Sequence, residues 1–328
     1  NLILSLSKYS SFIFANISVV IAGFYLYTYS KRKKQNLIFA LYILFFSSVC
    51  MEIITITSIY FDINVLVFIK TFGEIKTKVA NGFHLMEIFT SAIIPLSLFL
   101  YYLKPSNIKL VLIITSFVGV LASTSRTAML ATLISCTLFV LVKNRGNIFT
   151  KEFIFFILSI FLAFFIAFKI SPQIQERVKT FQTTFALNGG DKMSGRYIVY
   201  KESFNRFKTA IFMGHGLKNS TENKIVIKNQ FGDELVKHPH NIYLELLLDT
   251  GLLGFLSFLL FVGYLLKSFY TKFRKLDSIY KATALATLVS IFLSSLSSWS
   301  IWSSNHIGAI LAITLIVYNI DKIKLEVL

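Results

Sequence analysis

The chain has 328 residues, of which 55% are hydrophobic, 34 are Phe and only 15% are charged, and its mean hydropathy is +0.68. That balance excludes a soluble globule and fits a polytopic membrane protein written for lipid. A formal charge of +17 would suit a nucleic-acid binder only if it formed one contiguous basic face, and its distribution along the chain does not.

Apolar stretches near the ~20 residues needed to cross a bilayer core fall at 9–30, 36–61, 85–103, 108–123, 127–142, 153–170, 241–266, 279–299 and 306–320. Nine crossings give an expected all-α fold. Lys31 to Lys34, Lys104 and Lys109, Lys143, Arg145 and Lys151, the group from Lys267 to Lys281, and Lys322 with Lys324 occupy alternate loops, and together hold about half of the 33 basic residues. Short loops rich in Lys and Arg stay in the cytoplasm, so the expected orientation is N-terminus out and C-terminus in. The chain opens on Asn1 with no small-residue cleavage site after the first apolar run, and earlier helices are expected to precede it. Cys50 and Cys136 lie inside expected helices, which leaves packing as their role.

This divides the chain into N-terminal transmembrane helices (1–170), an extracytoplasmic loop (171–240) and C-terminal transmembrane helices (241–328). The loop has 70 residues, eleven basic and six acidic; loops of such length are usually functional or disordered. Within it, Tyr197, Tyr200, Phe204, Phe207 and Ile211 follow the rhythm of one apolar helical face, with Lys201, Asn205 and Lys208 on the other. The reading is an amphipathic helix, N-capped by Ser194 and ended by Gly214 and Gly216, lying on the membrane or on the bundle. Arg196 then sits in its first turn, where the helix dipole and unpaired N–H groups favour an anion.

Arg126 stands in a short outward turn, ASTSRTA, where a basic residue is topologically disfavoured and costs ~2.5–3.5 kcal/mol if drawn to mid-membrane. It either snorkels to lipid phosphates or is held by a ligand. Glu52 and Glu87 are the acids nearest the membrane interior, and pairing with a basic side chain such as Arg126 is their alternative to a functional role.

HPHNIYLELLLDTGLLGF, residues 238–255, places two histidines and an asparagine against a leucine run. Pro239 suits the first turn of a helix, Asn241 can cap its start, and residues two apart on a helix point about 200° apart. His238 and His240 are therefore not expected to share a metal. His240 would share a side with Leu244, Leu247 and Leu248, at the boundary of water and apolar surroundings. Asp249-Thr250-Gly251 then breaks the run, so 241–248 reads as a short interfacial helix ahead of the crossing proper. An imidazole with an intrinsic pKa of about 6.5 is a plausible proton acceptor, although a lone interfacial His is more often structural. All five histidines fall on the outer side, without partner carboxylates at metal-ligand spacing.

No G-x-x-x-x-G-K-[ST] is present, which excludes a nucleotide-driven pump of that type, and no Asp-x-Asp pair is available to hold a metal-bound sugar nucleotide. Phosphate charge would have to be met by preorganised Arg and Lys.

STSRTAML at 123–130, SGRYIVY at 194–200 followed by FMGHGL at 212–217, and HPHNIYLELLLDTGLLGF at 238–255 resemble, in order and spacing, the O-antigen polymerase and ligase family. The resemblance covers roughly 110–270. It implies a multi-pass protein of the bacterial cytoplasmic membrane, with its site facing outwards, in O-antigen, capsule or exopolysaccharide assembly. The expected activity is metal-independent transfer of a glycan from undecaprenyl diphosphate to a glycan or lipid-core acceptor, polymerase favoured over ligase. By the same resemblance Arg126 and Arg196 would hold the donor diphosphate and His240 would be the catalytic His. Asn241, His238, Tyr197, Tyr200, Lys201 and His215 are the expected substrate contacts. No cofactor, metal or nucleic acid is expected; membrane lipids and a chain-length regulator protein are expected partners. Tyr200, where Trp is common, and His215 inside the Gly-x-Gly depart from the family's pattern. A lipid-linked glycan flippase is the alternative, but it would call for midplane polar groups and internal repeats. A non-catalytic scaffold would not need the three motifs.

Overall fold

The computed structural model describes residues 87–122, 126–146, 195–217, 225–229, 232–236, 239–296 and 304–322, together with single positions between 151 and 165. The crossings expected at 9–30 and 36–61, most of that at 153–170, and Cys50, Glu52, His84, Ser194 and His238 lie outside the described residues.

Among the described residues seven α-helices have defined bounds: α1 (Glu87–Leu103), α2 (Asn107–Ala122), α3 (Arg126–Lys143), α4 (Gly195–Thr209), α5 (Ile242–Phe273), α6 (Ser278–Ser294) and α7 (Ser304–Tyr318). All but α4 fall where the sequence places a crossing. Of the described helices, α5 alone is both long and apolar enough to cross a membrane on length and composition; nine crossings are therefore not reached among the described residues. The helical expectation holds among the described residues, with one short hairpin added to it. Two strands, β1 (Ile225–Asn229) and β2 (Gly232–Val236), pair antiparallel with Ile225 opposite Val236 and Asn229 opposite Gly232. The β-branched run Ile225-Val226-Ile227 favours extended backbone, a signal overlooked in a chain read throughout for helical rhythm.

The packing is that of a protein in lipid. α6 lies against α3 and α1, and the side chains it buries are mostly small: Ala282, Thr283, Ala284, Ala286, Thr287, Ser290, Ile291 and Ser294. α3 answers with buried Ala128, Ala131, Thr132, Ser135 and Cys136. Large apolar side chains point outward instead, among them Leu253, Leu256, Leu260 and Phe261 on α5 and the helical positions Ile154, Leu158, Phe161 and Phe165. In water this arrangement would forfeit about 25 cal/mol for each Å² of exposed apolar surface. In lipid there is no such penalty, and helices associate through small residues that allow close backbone approach. Pro95 inside α1 is tolerated for a related reason, since neighbouring helices and Ser hydroxyls can occupy the freed backbone groups.

Contacts along the helices sort their ends into two groups. At one end Phe99 meets Tyr280 with ring centroids 5.5 Å apart, Tyr102 stacks on Phe139 at 5.8 Å, and Lys143 Nζ lies 3.7 Å from the centre of the Tyr102 ring. Lys109 Nζ donates to the carbonyls of Leu100 (3.2 Å) and Lys104 (2.9 Å), closing the last turn of α1. Lys272 at the end of α5 pairs with Asp321 at 2.7 Å and donates to the Tyr318 carbonyl. These are the termini that carry the basic residues counted from the sequence. At the other end Ser91 and Ser294 share a hydroxyl bond of 2.8 Å, so the starts of α1 and α3, the end of α6 and the start of α5 gather there.

Candidate functional site

The site is built on the start of α5. Asn241 caps it: its Oδ1 accepts from the backbone N–H of Tyr243 (3.0 Å) and Leu244 (3.1 Å), two of the donors that a helix start leaves without partners. Ile242 N–H donates to the Ser295 carbonyl at 3.1 Å, and the Tyr243 hydroxyl donates to the Phe292 carbonyl at 3.0 Å. Both bonds fasten the start of α5 to the end of α6.

His240 lies one residue ahead of that cap, half-buried, with φ 50. A left-handed backbone at a residue with a Cβ costs of the order of 1–3 kcal/mol and persists only where the surroundings enforce it. Because His240 precedes the helix, the argument that His238 and His240 point apart as helical neighbours does not hold.

The break foreseen at Asp249-Thr250-Gly251 is present. Gly251 (φ 65, ψ −167) interrupts α5, so a short helix from Ile242 meets the long apolar helix at a kink. Such a break orphans backbone groups on both sides, and the turn after α4 meets them. His215 N–H donates to the Leu248 carbonyl (2.8 Å) and Gly216 N–H to Asp249 (3.0 Å), while Leu252 and Leu253 N–H donate to the carbonyls of Ile211 (2.7 Å) and Phe212 (3.2 Å). Gly214 and Gly251, both at positive φ, cross so closely that a Cβ on either would run into the other's backbone. The FMGHGL and DTGLLG stretches are therefore two halves of one backbone clasp.

Arg126 is the first residue of α3, at the same end of the bundle as His240. Arg196 is the second residue of α4, in the first turn as expected, on a helix clasped to α5. Tyr197 follows it in that turn. Tyr200 is half-buried and Lys201 exposed. His215 uses its ring locally: Nε2 lies 2.8 Å from the Arg206 carbonyl and 3.3 Å from Thr209 Oγ1, tying the end of α4 to the clasp. The face of α4 is turned from its expected position. Val199 and Ser203 are buried, while Phe204 and Ile211 are exposed, because this helix packs through its smaller side chains and leaves aromatic ones outside. It also ends at Thr209, before Gly214.

The burial of two acids was not foreseen from the sequence. Glu245 and Asp249, one turn apart on α5, are each only 1% exposed. The i, i+4 spacing beside buried Ile242, Leu246 and Leu248 was the available signal. Among the described residues no group of three His, Cys, Asp or Glu is placed to hold a metal ion.

The described residues thus form a helical membrane bundle in which the starts of α3 and α5 lie at the end opposite Lys143 and Lys272. Residues 111–259, a little under half of the chain, match the family described as O-antigen ligase, and the resemblance read from the three motifs is thereby borne out. The match spans α2 to the first half of α5 and supports a membrane enzyme of O-antigen ligase or polymerase type, acting on lipid-linked glycan in surface-polysaccharide assembly. No curated protein matches the chain.

Proposed function

We propose that the chain is a glycosyltransferase that moves a glycan from undecaprenyl diphosphate onto the hydroxyl of a second lipid-linked glycan, on the outer face of the cytoplasmic membrane. The observation that carries this reading is the family match over 111–259, which contains all three motif segments. The start of α3 at Arg126 and the approach to α5 at His240 share one end of the bundle, and the basic termini lie at the other. In this reading 1–170 and 241–328 are membrane units and 171–240 is the outer unit covering the site.

The acceptor hydroxyl attacks the anomeric carbon, the bond from that carbon to the diphosphate oxygen breaks, and undecaprenyl diphosphate leaves with the electron pair. Arg126 and Arg196 meet the charge that grows on the leaving group, each aided by the helix start it occupies. His240 takes the hydroxyl proton. Asn241 holds His240 in place and, with Tyr197, Tyr200, Lys201, His238 and His215, lines the glycan path. All the positive charge in this step comes from side chains and helix dipoles.

The test is purified full chain in liposomes with a lipid-linked oligosaccharide donor and a chelator. Elongated lipid-linked glycan is the expected product. Elongation only of an added lipid core would mark a ligase, translocation without a new glycosidic bond would mark the flippase alternative, and activity only after metal is restored would overturn the metal-free step.

A further inference from the structure

We propose that the exposed face of α4 and the turn after it, residues 204–217, is seated in the interfacial layer of an anionic lipid bilayer, beside the point where α5 enters the membrane. Phe204, Ile211, Phe212, Met213 and Leu217 are 50%, 41%, 65%, 75% and 57% exposed, a concentration of bare apolar surface that marks an interaction site. Its occupant follows from what the patch is joined to. The carbonyls of Ile211 and Phe212 accept from Leu252 and Leu253, and Leu253, Leu256 and Leu260 are exposed on α5, the helix that by length and composition crosses the membrane. The apolar row that α5 presents to lipid thus continues, across backbone hydrogen bonds, into Phe212 and Met213.

The charges on the same face select the kind of lipid. Lys201, Phe204 and Lys208 recur at three- and four-residue steps, so they share one side of α4, and all three are exposed, as is Ile211 in the turn that follows. Lys208 Nζ sits 4.9 Å from the centre of the Phe204 ring. That is the posture of a lysine whose stem lies along an apolar surface while its ammonium reaches for phosphate. The acid of this helix, Glu202, is engaged by Arg206 at 3.5 Å, which leaves the face net positive and suited to anionic headgroups.

The test uses the full chain lacking Cys50 and Cys136, with a single cysteine at Met213 carrying a small fluorophore, in vesicles of phosphatidylcholine with or without phosphatidylglycerol. Asn205, exposed to the side of the apolar row, carries the reference probe. The Met213 probe should lose most of its emission to a lipid with a nitroxide near the headgroup and little to aqueous iodide, and phosphatidylglycerol should deepen the lipid quenching. The Asn205 probe should be the more open to iodide. Iodide quenching at Met213 as strong as at Asn205 would put the patch in water and overturn the proposal. Shielding of Met213 from both quenchers would mean that protein covers it, and equal lipid quenching in both vesicles would remove the role of the lysines.

Discussion

His240 adopts φ 50 immediately ahead of a cap made by Asn241, whose Oδ1 fixes where α5 begins. Removing the cap costs about 1 kcal/mol of helix stability and, in the proposed mechanism, loosens the backbone that presents His240. Asn241→Asp, which keeps the accepting oxygen, should therefore retain much of the transfer activity, and Asn241→Ala should lose most of it; equal rates for the two variants would make the cap irrelevant to catalysis. The imidazole must be neutral to accept a proton, so kcat should fall at low pH as protonation removes the accepting lone pair, measurable as a pH profile on reconstituted enzyme. A flat profile from pH 5 to 8 would remove the general base. Arg126→Ala and Arg196→Ala should each lower transfer by ~10²-fold or more, as loss of one donor to a developing anion does. Lys should rescue poorly, for want of the two-pronged guanidinium geometry.

At the scale of elements, the clasp between the turn after α4 and the kink of α5 is the feature on which the site's shape depends. Gly251 at φ 65, ψ −167 occupies a region open essentially only to glycine, and Gly214 leaves no room for a methyl group. Gly214→Ala and Gly251→Ala should each lower the unfolding midpoint in detergent and reduce transfer, whereas Gly263→Ala, inside α5 with open space around its Cβ position, should disturb the midpoint less; three identical midpoints would mean that the clasp is not formed. Much at this scale was legible beforehand. The starts and ends of α1, α2, α3 and α7 could be read because apolar runs in lipid stop where Lys, Arg, Asn or Ser begin, whereas α6 ends at Ser294, short of the expected 299. The break at Gly251 and the cap at Asn241 could be read because they obey local rules. The buried face of α4 could not: the rule that apolar side chains turn inward assumes water outside, and Phe204 and Ile211 have lipid as an alternative. Nor could the clasp, since Gly214 and Gly251 are linked only through tertiary contact and backbone bonds, which leave no pattern in side-chain chemistry. Glu245 and Asp249 were hidden by the same assumption, being polar residues on an otherwise apolar buried face.

For the whole molecule, the proposed membrane orientation rests on the sorting of helix ends: Lys104, Lys143, Lys272 and Lys322 come to one end, and the starts of α3 and α5 to the other. With Cys50 and Cys136 removed, a cysteine at Asn205, exposed beside the apolar row of α4, should react with an impermeant thiol reagent added to intact cells, and one at Lys275 should react only after lysis; the reverse pattern would invert the orientation. The central claim is that three helix starts far apart in sequence make one catalytic unit. Residues that act as a unit show grossly non-additive losses, so the decisive measurement is single-turnover glycan transfer by Arg126→Ala, Arg196→Ala, His240→Ala and the triple variant, each in liposomes with the same lipid-linked donor. Each single variant should fall nearly as far as the triple; single losses that are small, or that multiply to give the triple's loss, would show three independent residues and contradict a shared site.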